Sequence, residues 1–250
     1  MSSLLLDHVS GKTVSHFGEA LKKAYAEGEP AQLSSFNPYT QTGGTIAAIA
    51  GENFVVIGGD TRISLNDYCV LTRSGPKVFE LTRSIYLAAT GFHGDVLQLV
   101  RVLRTRVKQY LFTYGKHMDV HAAAQLLSRT LYYKRFFPYY TGVLLGGLDS
   151  DGKAAAVYSY DPVGTIEMLP YSAQGEASYL VEPFLDNQID WKTLPKALKM
   201  PLTFERAKQL FHDAFVAATE REKSTGDSLH VVALLAGSAP VEYDVVLRHD

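Results

Sequence analysis

The chain of 250 residues has a net charge of −2, with 26 acidic and 24 basic side chains mixed along it, which gives no basic face for nucleic acid or an anionic membrane. Its 46% hydrophobic content is ordinary for a globular protein that buries a substantial core. A single cysteine, Cys69, excludes an internal disulfide framework and a cysteine-rich metal site, and it suits a reducing compartment.

No apolar run approaches the roughly 20 residues needed to span a bilayer. The opening MSSLLLDHVSGKTVSH lacks the basic n-region of a secretory signal. A soluble intracellular protein is the expectation. Residues 1–42 read as an N-terminal extension or propeptide-like arm, with one short helix over 16–26 and the turn-rich stretch SSFNPYTQTGG at its end.

From Thr45 the texture changes. TIAAIA and FVVIGGD, split by Gly51-Glu52-Asn53, predict a hairpin of buried strands. Further strands are expected over 68–71, 76–81 and 85–89. A long helix follows, with Val96, Leu99, Val100, Leu103, Val107, Tyr110 and Leu111 at helical spacing. A second starts at the N-cap Asp119 and sets Ala122, Leu126, Leu127 and Leu131 on one face. Strands over 142–148, 154–160 and 165–169 are joined by the turns Asp149-Ser150-Asp151-Gly152 and Asp161-Pro162-Val163-Gly164. Helices over 178–185 and 203–222 precede two closing strands, 230–235 and 241–247. Helices grouped in pairs argue against a doubly wound parallel fold. The pattern fits an α+β protein in which two antiparallel sheets pack together, with a helix pair on each outer face. Residues 43–250 form one domain.

Several candidate residues have plain structural readings. Cys69, in DYCVL, reads as a small core residue rather than the nucleophile of a cysteine-dependent amidohydrolase. His93 sits in a glycine-rich turn where a helix-terminal hydrogen bond is expected, and the other seven histidines show no metal-ligand spacing. Neither a metal nor a cofactor is called for. The run Tyr132-Tyr133-Lys134-Arg135-Phe136-Phe137-Pro138-Tyr139-Tyr140 could cap the core or face another subunit, since aromatics and Arg are favoured at interfaces.

The segments GGTIAAIAGENFVVIGGDTR, SGPKVFEL, ATGFHGD and STGDSL, in that order, resemble the beta subunits of the 20S proteasome, of the N-terminal nucleophile hydrolase superfamily. The likeness extends from Phe36 to the C-terminus. FNPY, RFFPYYTGVLLGGLDSDGKAAAVYSYDPVG and LDNQ point more narrowly to the non-catalytic beta type-1 group. The resemblance implies a four-layer αββα sandwich and a seven-membered beta ring stacked on a second beta ring and flanked by alpha-type subunits. It also implies peptide substrates in neighbouring clefts, ubiquitin-linked protein degradation, and residence in cytoplasm and nucleus.

Active members of that family use an N-terminal threonine whose own amine is the general base, a lysine held by an aspartate, and a glycine N–H for the oxyanion. By resemblance Asp60, Lys77 and Gly91 stand at the aspartate, lysine and oxyanion positions. Gly43 stands where the threonine is expected, Gln174 replaces a serine that helps hold the amine, and Glu222 replaces an aspartate, with Thr225 close to the family pattern. Together they read as a vestigial site with no catalytic residue. The alternative is an active threonine peptidase that uses Thr45 after autolysis at Gly44–Thr45. Against it, Thr45 leads straight into a strand, and a two-residue shift displaces a nucleophile by about 6.6 Å, beyond the ~3 Å reach that catalysis needs. Asp161 aligns with a loop that in the family lines a neighbour's cleft, although Asp-Pro-x-Gly is also ordinary turn chemistry.

Overall fold

The computed structural model describes residues 39–66, 68–149, 154–192, 195 and 199–249. The helix expected over 16–26 and most of the turn at 149–152 lie outside them. Tyr39–Asp250 is one compact unit, so residues 39–42, read as the end of the extension, belong with the domain.

The elements run β1 (Thr45–Ala50), β2 (Phe54–Asp60), β3 (Ile63–Leu65), β4 (Cys69–Thr72), β5 (Val78–Thr82), β6 (Ile85–Gly91), α1 (His93–Tyr114), α2 (Val120–Tyr133), β7 (Thr141–Leu148), β8 (Ala155–Tyr160), β9 (Ile166–Leu169), β10 (Tyr171–Gly175), α3 (Ser178–Gln188), α4 (Phe204–Thr219), β11 (Ser228–Leu235) and β12 (Val241–Val246). One sheet has the order β10-β1-β2-β11-β12 and the other β5-β6-β7-β8-β9. Their strand pairs are antiparallel throughout.

Three apolar layers hold four layers of backbone. Ile46, Ala48, Val55 and Ile57 meet Ala88, Leu144 and Val157 between the sheets. Ala47, Ile49 and Val56 point the other way, into α3 and α4, where they meet Val181, Leu185, Phe211 and Phe215. The second sheet is covered by Leu99, Leu103, Leu127 and Leu131 of α1 and α2. Both faces of β1 and β2 are therefore dry. That is why these antiparallel strands read as unbroken apolar runs rather than an alternation. Each fully buried Leu, Ile or Phe contributes about 1.5–3 kcal/mol. This is the αββα sandwich of the N-terminal nucleophile hydrolases.

Asp119 caps α2 as expected, its side chain accepting from His121 N. The buried face of that helix carries Ala123 and Ala124, however, and Ala122 is exposed. β10 was not foreseen: YSAQG has little apolar signal, and its pairing with β1 makes it a strand. Cys69 is also corrected. It is exposed at the start of β4, in the separate two-stranded β3–β4 ribbon, instead of lying in a core.

Candidate functional site

The antiparallel register of β1 and β2 sets Ile46 opposite Gly59, so the start of β1 lies beside the end of β2. Asp60 closes β2 and Lys77 precedes β5. Both side chains are buried, and Lys77 Nζ lies 3.1 Å from Asp60 Oδ2. Lys77 also donates to the carbonyl oxygens of Asp60 and Arg62. Asp60 accepts from the backbone N–H of Thr45 at 2.7 Å, Arg62 at 3.2 Å and Gly226 at 3.3 Å. Burial pushes the Asp60 carboxyl up and the Lys77 ammonium down, and each is opposed by the other's charge. Lys77 has three hydrogens, and all three are taken by these partners.

What faces this pair is a bare backbone. Gly44 has φ +92°, and a Cβ there would lie 2.2 Å from Lys77 Cε and 2.5 Å from Nζ. Gly43, at φ +67°, would aim a Cβ at Ser224 and Ser64 instead. Linear alignment sets the nucleophile position at Gly43, whereas in space Gly44 is the residue over the lysine. Neither glycine has a hydroxyl. Thr90 Oγ1 donates to the carbonyls of both, and Glu176 N–H to that of Gly44, which fixes the turn into β1.

Thr45 shares a strand face with Ala47 and Ile49, the face toward α3 and α4. It is fully buried, its Oγ1 accepts from Ala177 N–H at 2.9 Å, and it shares a 2.8 Å hydrogen bond with Thr225 Oγ1. Its amide is held by Asp60. The hydroxyl is thus committed to the helix layer, while every Lys77 hydrogen goes elsewhere.

The other expected residues divide. Gly91 ends β6 at φ +105° and lines the same cleft as Gly44, a space of about 750 Å³. Gln174 lines that cleft too, but its amide donates to Ser159 Oγ and Tyr160 O of β8. The residue closest to Gly44 from β10 is Gly175, where a Cβ would meet Gly44 O at 2.1 Å. The Glu222 carboxylate accepts from Ser224 in its own loop. Asp161 lines the cleft and accepts from Val163 N, Thr165 N and Thr165 Oγ1. The hydrogen bond at His93 is made by its backbone N–H, to Thr42 Oγ1, and burial together with the charge of Lys77 lowers the pKa of its half-buried ring.

Sequence reading missed the brace beneath the site. Asp227 is buried and takes Arg62 Nε at 2.9 Å and Arg73 Nη1, while Arg62 Nη1 also reaches Lys223 O. GGDTR and STGDSL contain Arg62 and Asp227, so the signal lay inside quoted motifs, but nothing local links residues that far apart.

A two-sheet sandwich that presents an aspartate–lysine pair at the start of its first strand defines the N-terminal nucleophile hydrolase type. The family model described as Proteasome subunit matches residues 40–234, and the chain belongs to that family. It is similar to proteasome subunit beta type-1 of Caenorhabditis elegans, 47% identical over 242 residues, covering 94% of this chain and 93% of the relative. The corresponding Petunia hybrida subunit is 44% identical over 223 residues, covering 88% and 99%. Proteasome subunit beta type-6 of Saccharomyces cerevisiae is 41% identical over 218 residues, covering 83% and 89%.

Proposed function

We propose that this chain is a non-catalytic beta subunit that builds the beta ring of a proteasome core and leaves peptide cleavage to its neighbours. The observation that carries the reading is Gly44: the position over Lys77 has no side chain, and Lys77 and Asp60 satisfy each other and the surrounding backbone. A buried pair of that kind serves as a structural tie. A seven-membered ring, contacts with the opposite ring and alpha-type subunits, and work in cytoplasm and nucleus complete the proposal. Obligate subunits of this sort bury more than ~2,000 Å². Tyr133, Phe136 and Phe137 of the aromatic run are exposed, which supports a role for it at a subunit interface.

Particles carrying Thr45→Ala are expected to assemble and keep every peptidase activity, with a cost of about 1–3 kcal/mol for the unpaired Ala177 N–H. Intact mass should show no cut at Gly44–Thr45. Loss of one activity in fully assembled particles would instead establish Thr45 as a nucleophile.

Asp161 is proposed to carry its charge toward a neighbour's bound peptide. Asp161→Asn keeps the oxygen that accepts from Val163 and Thr165, so the turn survives. Assembled particles should then cleave basic fluorogenic peptides less well relative to neutral ones. An unchanged ratio would leave Asp161 with its turn role alone.

A further inference from the structure

We infer that the cavity at the far end of the two sheets binds a small dipolar ligand, with an ammonium or guanidinium at one end, a carboxylate at the other and an apolar body between. The cavity encloses about 760 Å³, within the roughly 300–1,000 Å³ usual for small-ligand sites. β6 carries Tyr86 into it and Gly91 into the cleft beside Gly44. Their separation along the strand is about 16 Å, so the two sites are distinct.

Its floor is apolar because residues of the layer between the sheets form it. Tyr86, Leu148 and Leu234 belong to that layer and are buried. Its rim is charged because the edge strands β5 and β12 border it. Glu80 lies on β5 opposite Tyr86 of β6, and Glu242 lies on β12 opposite Val232 of β11. The Tyr86 hydroxyl crosses between the sheets and donates to Glu242 Oε1 at 2.9 Å. Burial, that hydrogen bond and the charges of Glu242 and Glu80 all raise its pKa, so this side is a negative pole.

Arg83, on the turn between β5 and β6, lines the same cavity and does not offset that field. Among the described residues, no ion pair joins it to Glu80 or Glu242. The two signs of charge thus stand apart over one apolar floor. A dipolar ligand satisfies both poles with charge-assisted hydrogen bonds, while its body covers Leu148, Leu234 and Leu235. A ligand with a single charge leaves one pole to water. The inference goes beyond the non-catalytic reading and holds whichever way the test of Thr45 falls.

The test uses assembled particles and three photoreactive probes that share one diazirine-bearing six-carbon chain: 6-aminohexanoate, hexylamine and hexanoate. Labelled residues are mapped by peptide mass spectrometry. The dipolar probe is expected to label residues 80–86 or 234–242 about tenfold more than either singly charged probe. Excess unlabelled 6-aminohexanoate should abolish that labelling. Glu242→Gln keeps an oxygen for the Tyr86 hydroxyl, and Arg83→Gln alters an exposed turn residue, so both variants should assemble. Glu80→Gln serves if Glu242→Gln fails to incorporate. Each change should cut labelling by the dipolar probe about tenfold. Equal labelling by all three probes, labelling by none, or no effect of any variant would each overturn the inference. Loss only with the glutamate variants would make the cavity a cation site, and loss only with Arg83→Gln an anion site; either result overturns the dipolar assignment.

Discussion

Replacing Lys77 by alanine is expected to destabilise the subunit by about 3–5 kcal/mol, because it leaves the fully buried Asp60 carboxylate without its paired ammonium. For a domain of this size that corresponds to a fall in unfolding midpoint on the order of 10 °C. Differential scanning of assembled particles, with the fraction of variant chain incorporated, reads the effect. Adding Asp60→Asn removes the stranded charge and should recover part of the loss. Recovery stays incomplete because the new amide faces the N–H groups of Arg62 and Gly226. Particles that do assemble should keep their peptidase activities if Lys77 is only a tie. A loss within the ~0.5 kcal/mol of ordinary surface changes would show that the pair holds nothing together.

The architecture was largely legible in the sequence because hydrophobic period and turn chemistry agree there. β1 and β2 announce themselves as apolar runs, and α1 shows its buried stripe at Val96, Leu99, Val100, Leu103 and Val107. β10 escaped because Tyr171–Gly175 is defined by hydrogen bonds to β1 and not by its own composition. Cys69 misled because a short β-prone segment such as DYCVL looks the same whether it runs through a core or along an exposed strand.

At the site, Asp60, Lys77 and Gly91 could be placed by motif. The shift from Gly43 to Gly44 could not. Two successive left-handed residues twist the chain, so that adjacent positions aim at different neighbours, and counting along the sequence cannot resolve that. The commitment of the Thr45 hydroxyl to Ala177 and Thr225 was equally hidden, because its partners lie 132 and 180 residues away. Strand periodicity did place Thr45 inside β1.

The brace at Asp227 leads to the second large effect. Its carboxylate is buried with the Arg62 guanidinium, and its backbone pairs with Leu247 and Arg248, tying the end of β12 to the loop that carries Thr225. Gly226 of the same loop donates to Asp60, so the brace and the Asp60–Lys77 pair share one backbone. Burial alone would raise the Asp227 pKa, but the hydrogen bonds and charges of Arg62 and Arg73 outweigh it and hold the carboxyl below its usual range. A depressed carboxyl contributes stability above its unfolded value, near ~3.9. That contribution disappears as pH falls through the lowered folded value. Asp227→Asn is the informative change, because asparagine tolerates the left-handed φ of +66° while removing the charge. At neutral pH it leaves Arg62 buried without its counter-ion, at a cost of about 3–5 kcal/mol. Amide protection at Asp227 and Leu247, corrected for intrinsic exchange, should therefore drop by roughly 10²–10³. Because the asparagine does not titrate, the gap between parent and variant should close as pH is lowered below about 4. Equal protection at pH 7, or a gap that widens on acidification, would mean that Arg62 and Asp227 are neighbours without being a brace.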